Sequence, residues 1–551
     1  MPEQTGATTF HLGKHRDSVQ AALARLDRQR FLDRFLAKDP TLWKTDDETA
    51  RVVRNRMGWL DVAAMMRDQV AGILRFADQL RGDGFKHVVL LGMGGSSLCP
   101  DVLRQTFRRG RGRPLLHVLD STDPEAIAAV DRAIDPEWTL FVVSSKSGTT
   151  IESQMLFRYY WAKSQGDRFI AITDPGTPLE RIARERGFRR VFLNPPDIGG
   201  RYSALSYFGM VPAACAGIDI GGLLERGDEL ARGLRPGLAA GACEPVALGA
   251  ALAALAGAGR DKVTFVTSRS IATFGYWVEQ LIAESTGKEG KGLIPIEGEE
   301  LGRPSEYGKD RCFVHLRVRG SSDVSLRRRL TSLRRAGHPV IQIDLEDRLD
   351  LGAEFNRWEI ATATAASLMG INPFDEPNVK ESKDNSARAL ETFQATGSFS
   401  SPVPALDEGV RALARLIEST RKGDYIALMA YLRMDAPTVA LLGKLRLKLR
   451  RRCRAATTLG FGPRFLHSTG QLHKGGPPNG VFIQITSEKA LDLPIPGESF
   501  SFKTLEAAQA AGDLRSLEGR GYRVARLHLG ASKKEDLERV LAAARQARHL
   551  S

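Results

Sequence analysis

Cysteine is scarce in this 551-residue chain: Cys99, Cys215, Cys243, Cys312 and Cys453 lie far apart and form no C-x-x-C pair. That spacing suggests neither a zinc site nor a disulfide framework, and the thiols read as reduced. Long apolar runs are missing as well, so no segment reads as membrane-spanning. The opening "MPEQTGATTFHLGKH" lacks the apolar centre of a secretory leader, which makes the cytoplasm the expected location. Negative charge is in deficit: 79 Lys and Arg stand against 65 Asp and Glu, a formal charge of +14. Basic runs such as "RQTFRRGRGRP", "RRRLTSLRR" and "KLRLKLRRRCR" raise nucleic acid as a partner. Aromatics are not interleaved with them, so no stacking platform forms, and the last two runs read as solvated helix faces. The charge argues instead for small anionic ligands, which a cationic field attracts.

What is present is a globular composition, 42% hydrophobic and 26% charged, in a chain long enough for two or more domains. Residues 1–80 read as an N-terminal helical segment, with "VQAALARLDRQRFLDRFLAKD" amphipathic at helical spacing. From 81 to 235 short apolar runs alternate with helical segments: "HVVLLGMGG", "LLHVLDST", "TLFVVSSKSG", "RFIAITDPG" and "RVFLNPP". That alternation predicts a doubly wound α/β domain around a mostly parallel sheet. After a Gly- and Ala-rich linker the pattern resumes over 245–551 in "KVTFVTSRS", "RCFVHLRV", "HPVIQIDL", "YIALMAYL", "GVFIQIT" and "RVARLHLG". A second, larger α/β domain is expected there, with "QATGSFSSPVPALDEG" as a loop inside it.

The stretch "FVVSSKSGTTIES" turns from a buried strand into hydroxyl residues around Lys146, with a helix expected to start near Thr149 or Thr150. Free backbone N–H groups and the positive end of the helix dipole converge in such a turn. Ser145, Ser147, Thr149 and Thr150 can donate to a phosphate, and Gly148 allows close backbone approach. An ordinary N-cap with a polar turn is the competing reading. "LLGMGGSSL" places Gly92, Gly94, Gly95, Ser96 and Ser97 in the same strand-to-helix position. Its spacing is not a dinucleotide fingerprint, and no cofactor is expected. Two such loops on one sheet edge favour phosphate binding more than either alone. "DIGGRYSALS" sets Gly199 and Gly200 before Arg201, whose planar donors suit an oxyanion, although in isolation a tight turn with a surface arginine is the better reading.

Taken in order, "GMGGSSLCP", "SSKSGTTIES" and "GGRYSALS" resemble the glucose-6-phosphate isomerase family, built on paired sugar-isomerase (SIS) domains. "ESTGKEGKG" and "NPFDEPNVKESK" resemble segments of bacterial members, and "GFGPRFLHSTGQLHKGGPPNGVFIQIT" looks most like the isomerase portion of proteins fused to transaldolase. No stretch is left over for a separate transaldolase barrel. The resemblance implies interconversion of glucose 6-phosphate and fructose 6-phosphate through a cis-enediolate, without metal, in a homodimer. It implies sugar-phosphate binding by Ser96, Ser145, Lys146, Ser147 and Thr150, and enediolate stabilisation by Arg201. Glu284 matches the catalytic glutamate, Lys383 the ring-opening lysine, and His467 the histidine of an H-S-x-G-Q segment. In bacterial relatives that segment precedes the lysine; here it follows. The residues alone leave competitors open: Glu284 as an ordinary helical glutamate, Lys383 as a surface lysine, His467 as structural beside Ser468, and His473 or Lys474 in its place. Two other functions share the same phosphate loops. One is a non-catalytic sugar-phosphate sensor, which has no need of Arg201, Glu284 and Lys383 together. The other is an isomerase that also accepts mannose 6-phosphate.

Overall fold

The computed structural model describes residues 3–321, 323–399 and 403–546. Residues 400–402 of the expected loop "QATGSFSSPVPALDEG" lie outside the described residues. No helix among those described is long and apolar enough to cross a membrane.

The first sheet is fully parallel, in the spatial order Leu115–Leu119, His87–Gly92, Thr139–Ser144, Phe169–Thr173, Arg190–Leu193. Every residue of Thr139–Ser144 is buried, as a strand covered on both faces requires. The chain reverses direction of winding between His87–Gly92 and Thr139–Ser144, and a crevice opens at the carboxyl ends of such neighbouring strands. The two glycine- and hydroxyl-rich turns leave the sheet at those two ends.

The described residues of 245–551 hold two sheets. One runs Val340–Leu345, Arg311–Val318, Lys262–Thr267, Ile294–Ile296 in parallel, and the N-terminal strands Thr8–His11 and Gln4–Thr5 extend its edge antiparallel. The N-terminal segment is thus not wholly helical, because Thr8–His11 alternates buried and half-buried residues against Val340–Leu345. The other sheet is parallel, in the order Ala456–Phe461, Tyr425–Ala430, Gly480–Ser487, Arg523–Leu529. It has its own core around Leu413, Leu445, Ile483 and Leu527. A further apolar cluster joins it to the first sheet: Phe502, Leu505 and Ala508 of the helix Phe502–Gly519 pack with Ala389 and Leu390 of the helix Val379–Thr396 against Tyr159 and Tyr160. These two helices thereby roof the carboxyl edge of the first sheet.

Candidate active site

The helix after the hydroxyl turn is Ile151–Trp161, and Thr150 is its N-cap without a side-chain cap bond. The Thr150 hydroxyl faces Ser145 Oγ at 3.0 Å instead, and Ser145 Oγ accepts from the Gly148 N–H at 3.1 Å. The first-turn N–H groups of the helix are therefore left without a side-chain acceptor, as an anion site needs. Gly148 sits at φ +68°, and a Cβ there would meet the Leu179 backbone nitrogen at 2.8 Å. Ser147 Oγ lies 2.9 Å from Thr149 Oγ1 on the exposed side of the turn. The Lys146 ammonium pairs with Asp174 and donates to the Pro196 carbonyl at 3.1 Å. Ser96 is buried, and its carbonyl accepts from Ser144 Oγ at 3.1 Å.

The Gly94–Ser96 turn packs directly on the Gly200–Tyr202 turn. A Cβ at Gly95 would lie 2.0 Å from the Gly200 carbonyl oxygen, while one at Gly200 would meet nothing within 4 Å and one at Gly199 only ordinary contacts. The close approach that excludes a side chain is therefore at Gly95, not at the pair before Arg201. Gly95→Ala is expected to cost about 1–3 kcal/mol of stability by overpacking, read by chemical denaturation, whereas Gly200→Ala should leave the midpoint nearly unchanged.

Arg201 is buried, and its five donors are all engaged. Nε donates to Ser285 Oγ (3.0 Å), Nη1 to Glu284 (3.2 Å) and Glu376 (2.9 Å), and Nη2 to the Pro373 (2.7 Å) and Asp375 (2.8 Å) carbonyls. It is not a surface arginine. Glu284 lies on the helix Phe274–Thr286, all but out of reach of solvent. Burial raises its pKa, Arg201 opposes and Glu376 adds to the rise, and the carboxyl is pushed up to about 7. Glu284 therefore differs from the ordinary helical glutamate that its amphipathic segment allowed. Glu279 faces another cavity, beside Glu297.

His467 arrives from the far sheet, in the turn Arg464–His467 that follows Ala456–Phe461. Arg464 anchors that turn on the first domain through Asp101 (3.0 Å) and Asp120 (3.3 Å). His467 Nε2 lies 2.9 Å from Glu152 Oε1, which also accepts from Gln509 Nε2 at 2.7 Å. Burial raises Glu152, but the His467 imidazole, a backbone N–H and Lys383 together outweigh it and hold the carboxyl below its ordinary value. Gln280 ties this group to the arginine cluster, since its Nε2 donates to the His467 carbonyl at 2.8 Å and lies 3.4 Å from Glu284 Oε1. The competitors of His467 are committed elsewhere. His473 is buried between Phe465 and Phe482, and Lys474 forms a buried ion pair with Asp513 at 2.7 Å.

A cleft of about 240 Å³ lies over this arrangement, lined by Thr149, Thr150, Glu152, Lys383, His467 and Gln509 among others. The structure thus brings Thr149, Thr150, Lys383 and His467 to one cavity. Ser145 stands one hydrogen-bonded step behind Thr150, Glu284 stands two steps behind His467 through Gln280, and Arg201 is joined to Glu284. Ser96, Lys146 and Ser147 do not line it. Sequence reasoning missed Glu152, Gln280, Glu376, Arg464 and Gln509. Of these, Glu152, Glu376 and Arg464 fell inside segments already quoted, but no role had been given to them. Gln471 of the H-S-x-G-Q segment also emerges as a brace: its Nε2 donates to the Gly287 carbonyl and to Asn378, and its Oε1 accepts from the Asn378 N–H.

The phosphoglucose isomerase family profile matches residues 61–290. A glucose-6-phosphate isomerase of Rubrobacter xylanophilus is 30% identical over 375 residues, covering 58% of this chain and 85% of that protein. One from Desulfitobacterium hafniense is 26% identical over 425 residues, covering 68% of this chain and 77% of its own. Among solved structures, a glucose-6-phosphate isomerase of Chlamydia trachomatis superimposes with a TM-score of 0.53 at 19% identity, covering 72% of this chain and 89% of that one. A hypothetical protein from Thermus thermophilus gives 0.55 at 24% identity, covering 70% of this chain and 99% of that one. The two structures share the fold.

Proposed function

Since this chain belongs to the glucose-6-phosphate isomerase family, we infer that its cleft carries out the interconversion of glucose 6-phosphate and fructose 6-phosphate. The observation that carries this reading is the meeting of Lys383 and His467 with the uncapped helix start at Thr149–Thr150 in one cavity, beside the Glu284–Arg201 pair. The phosphate is taken to sit at that helix start, held by Thr150, Ser145 and the free N–H groups, with Thr149 and Ser147 at its open side. Lys146 and Ser96 then act by fixing the two turns rather than by touching the phosphate.

Chemically, the cyclic sugar must open, a proton must leave C2 and a proton must reach C1. Lys383 and His467 are assigned to moving the ring-oxygen and hydroxyl protons, with Glu152 orienting the imidazole. Glu284 is assigned the carbon-to-carbon transfer. It takes the C2 proton as carboxylate, leaving an enediolate, and returns a proton to C1. Arg201 is assigned the enediolate oxygen. Its donors are all in use, so Glu376, whose side chain is 52% exposed, is the partner that must give way. We place the reaction in the cytoplasm and propose a homodimer as the assembly, although every group in this scheme comes from one chain.

The direct test is a coupled assay that supplies fructose 6-phosphate and records glucose 6-phosphate; a purified chain that gives no product contradicts the reading. Replacing both Ser145 and Thr150 by Ala should raise KM strongly, since each lost hydrogen bond to a charged group costs about 1.5–3 kcal/mol. An unchanged KM in that double variant would move the phosphate to another part of the cleft.

A further inference from the structure

The carboxyl edge of the sheet Tyr425–Leu529 carries a second cavity, of about 360 Å³, between the strands Gly480–Ser487 and Arg523–Leu529 and the helix Phe502–Gly519. We propose that this cavity is an anion site for a small phosphomonoester, separate from the catalytic cleft and independent of the function assigned there.

Three features support it. Arg526 lines the cavity with its Nε shielded from solvent and without a hydrogen-bond partner. Ser487, only 8% exposed, also lines it, and its Oγ has no partner either. A buried polar group without a partner is costly, and two on residues of one cavity wall point to a ligand that supplies acceptors. The third feature is charge. Lys503 stands at the rim, donating to the Lys489 carbonyl at 3.3 Å. Lys489 is shared between the lining carboxylate of Glu506, at 3.0 Å, and Asp123. Glu488 is the remaining lining carboxylate and it is exposed. His528 is tied to Thr486 Oγ1 at 2.9 Å. Among the lining charges, Lys489, Lys503 and Arg526 exceed Glu488 and Glu506 by one, with Glu518 acting on Arg526 from outside the lining, and the Arg526 guanidinium and Lys503 ammonium suit a phosphate. The volume leaves room for a short carbon chain beside the phosphate.

The helix Phe502–Gly519 lies between the two clefts. Leu505 and Gln509 face the catalytic cavity, while Glu506 and Ala510 face this one. Occupancy of the second site thus bears on the helix whose Gln509 holds Glu152.

Equilibrium dialysis of the full chain with labelled glycerol 3-phosphate and, in a parallel arm, labelled inorganic phosphate tests the proposal. Wild type should bind glycerol 3-phosphate at one more site per chain than Arg526→Gln does, with an unchanged urea denaturation midpoint as the check on folding. Lys503→Glu, at the exposed rim, should weaken the same site by about tenfold or more. Equal stoichiometry in wild type and Arg526→Gln, with Lys503→Glu also without effect, would overturn the site. Loss of inorganic phosphate alone in the variants would overturn the phosphomonoester assignment.

Discussion

Glu284→Gln should lower kcat by about 10²–10⁴-fold, the usual contribution of a positioned general base. Glutamine keeps the size of the side chain, and its one amide oxygen can still accept from the Arg201 guanidinium at the cost of the 3.4 Å contact to Gln280, so fold and KM should stay close to wild type. What it cannot do is accept the C2 proton. The same group sets the pH dependence. Burial pushes the Glu284 carboxyl up to about 7, and only the carboxylate is a base. The kcat/KM of the wild type should therefore rise with pH through about 7 and level off above it, with the acid side of the profile reporting the free enzyme. A Glu284→Gln enzyme with undiminished kcat would remove Glu284 from the mechanism.

Arg201→Lys should also be severe, with kcat falling by about 10²–10³-fold, as for loss of a preorganised oxyanion donor. Lysine retains the charge but not the planar set of five donors. It cannot hold Ser285, Glu284 and the Pro373 and Asp375 carbonyls at once. If the arginine stabilises the enediolate, kcat falls more than KM rises, because that charge exists only along the reaction path. If KM alone changes, Arg201 serves ground-state binding of a phosphate or hydroxyl instead. Stability should drop as well, since the loop 373–376 loses both carbonyl contacts. A urea denaturation curve separates that loss from the catalytic one.

Both predictions rest on residues that the sequence made visible to different degrees. The strands of the first sheet were legible because each is a short, continuous apolar run ending in small or polar residues. The strand Ala456–Phe461 was not, since "ATTLGF" mixes threonine and glycine into too few apolar positions to show a pattern. Gln4–Thr5 and Thr8–His11 are too short to carry a period and exist through pairing with Val340–Leu345. Without these, the region 245–551 reads as one domain, though it carries two sheets.

The site divides the same way. Local geometry made the two phosphate-type turns readable, because a strand end, small residues and a helix start are neighbours in sequence. Arg464 and Gln509 acquire their roles only through contacts hundreds of residues away, with Asp101 and Glu152. Glu152 sat inside the quoted motif, but nothing local distinguishes it from a solvated first-turn glutamate until His467 stands beside it. The burial of Lys288, whose ammonium donates to the Asn372 carbonyl at 2.7 Å and pairs with Asp375 at 2.7 Å, is likewise invisible in "GKEGKG". It braces the loop that holds Arg201.

The central claim is that this cleft moves a proton between adjacent carbons of a sugar phosphate. Incubating the purified chain with fructose 6-phosphate in deuterium oxide and following the sugar carbons by NMR tests it most directly. The account predicts glucose 6-phosphate with deuterium accumulating at C2 over repeated turnovers, and loss of that label together with turnover in Glu284→Gln. Absence of glucose 6-phosphate, or product that stays free of deuterium through many turnovers, would contradict it.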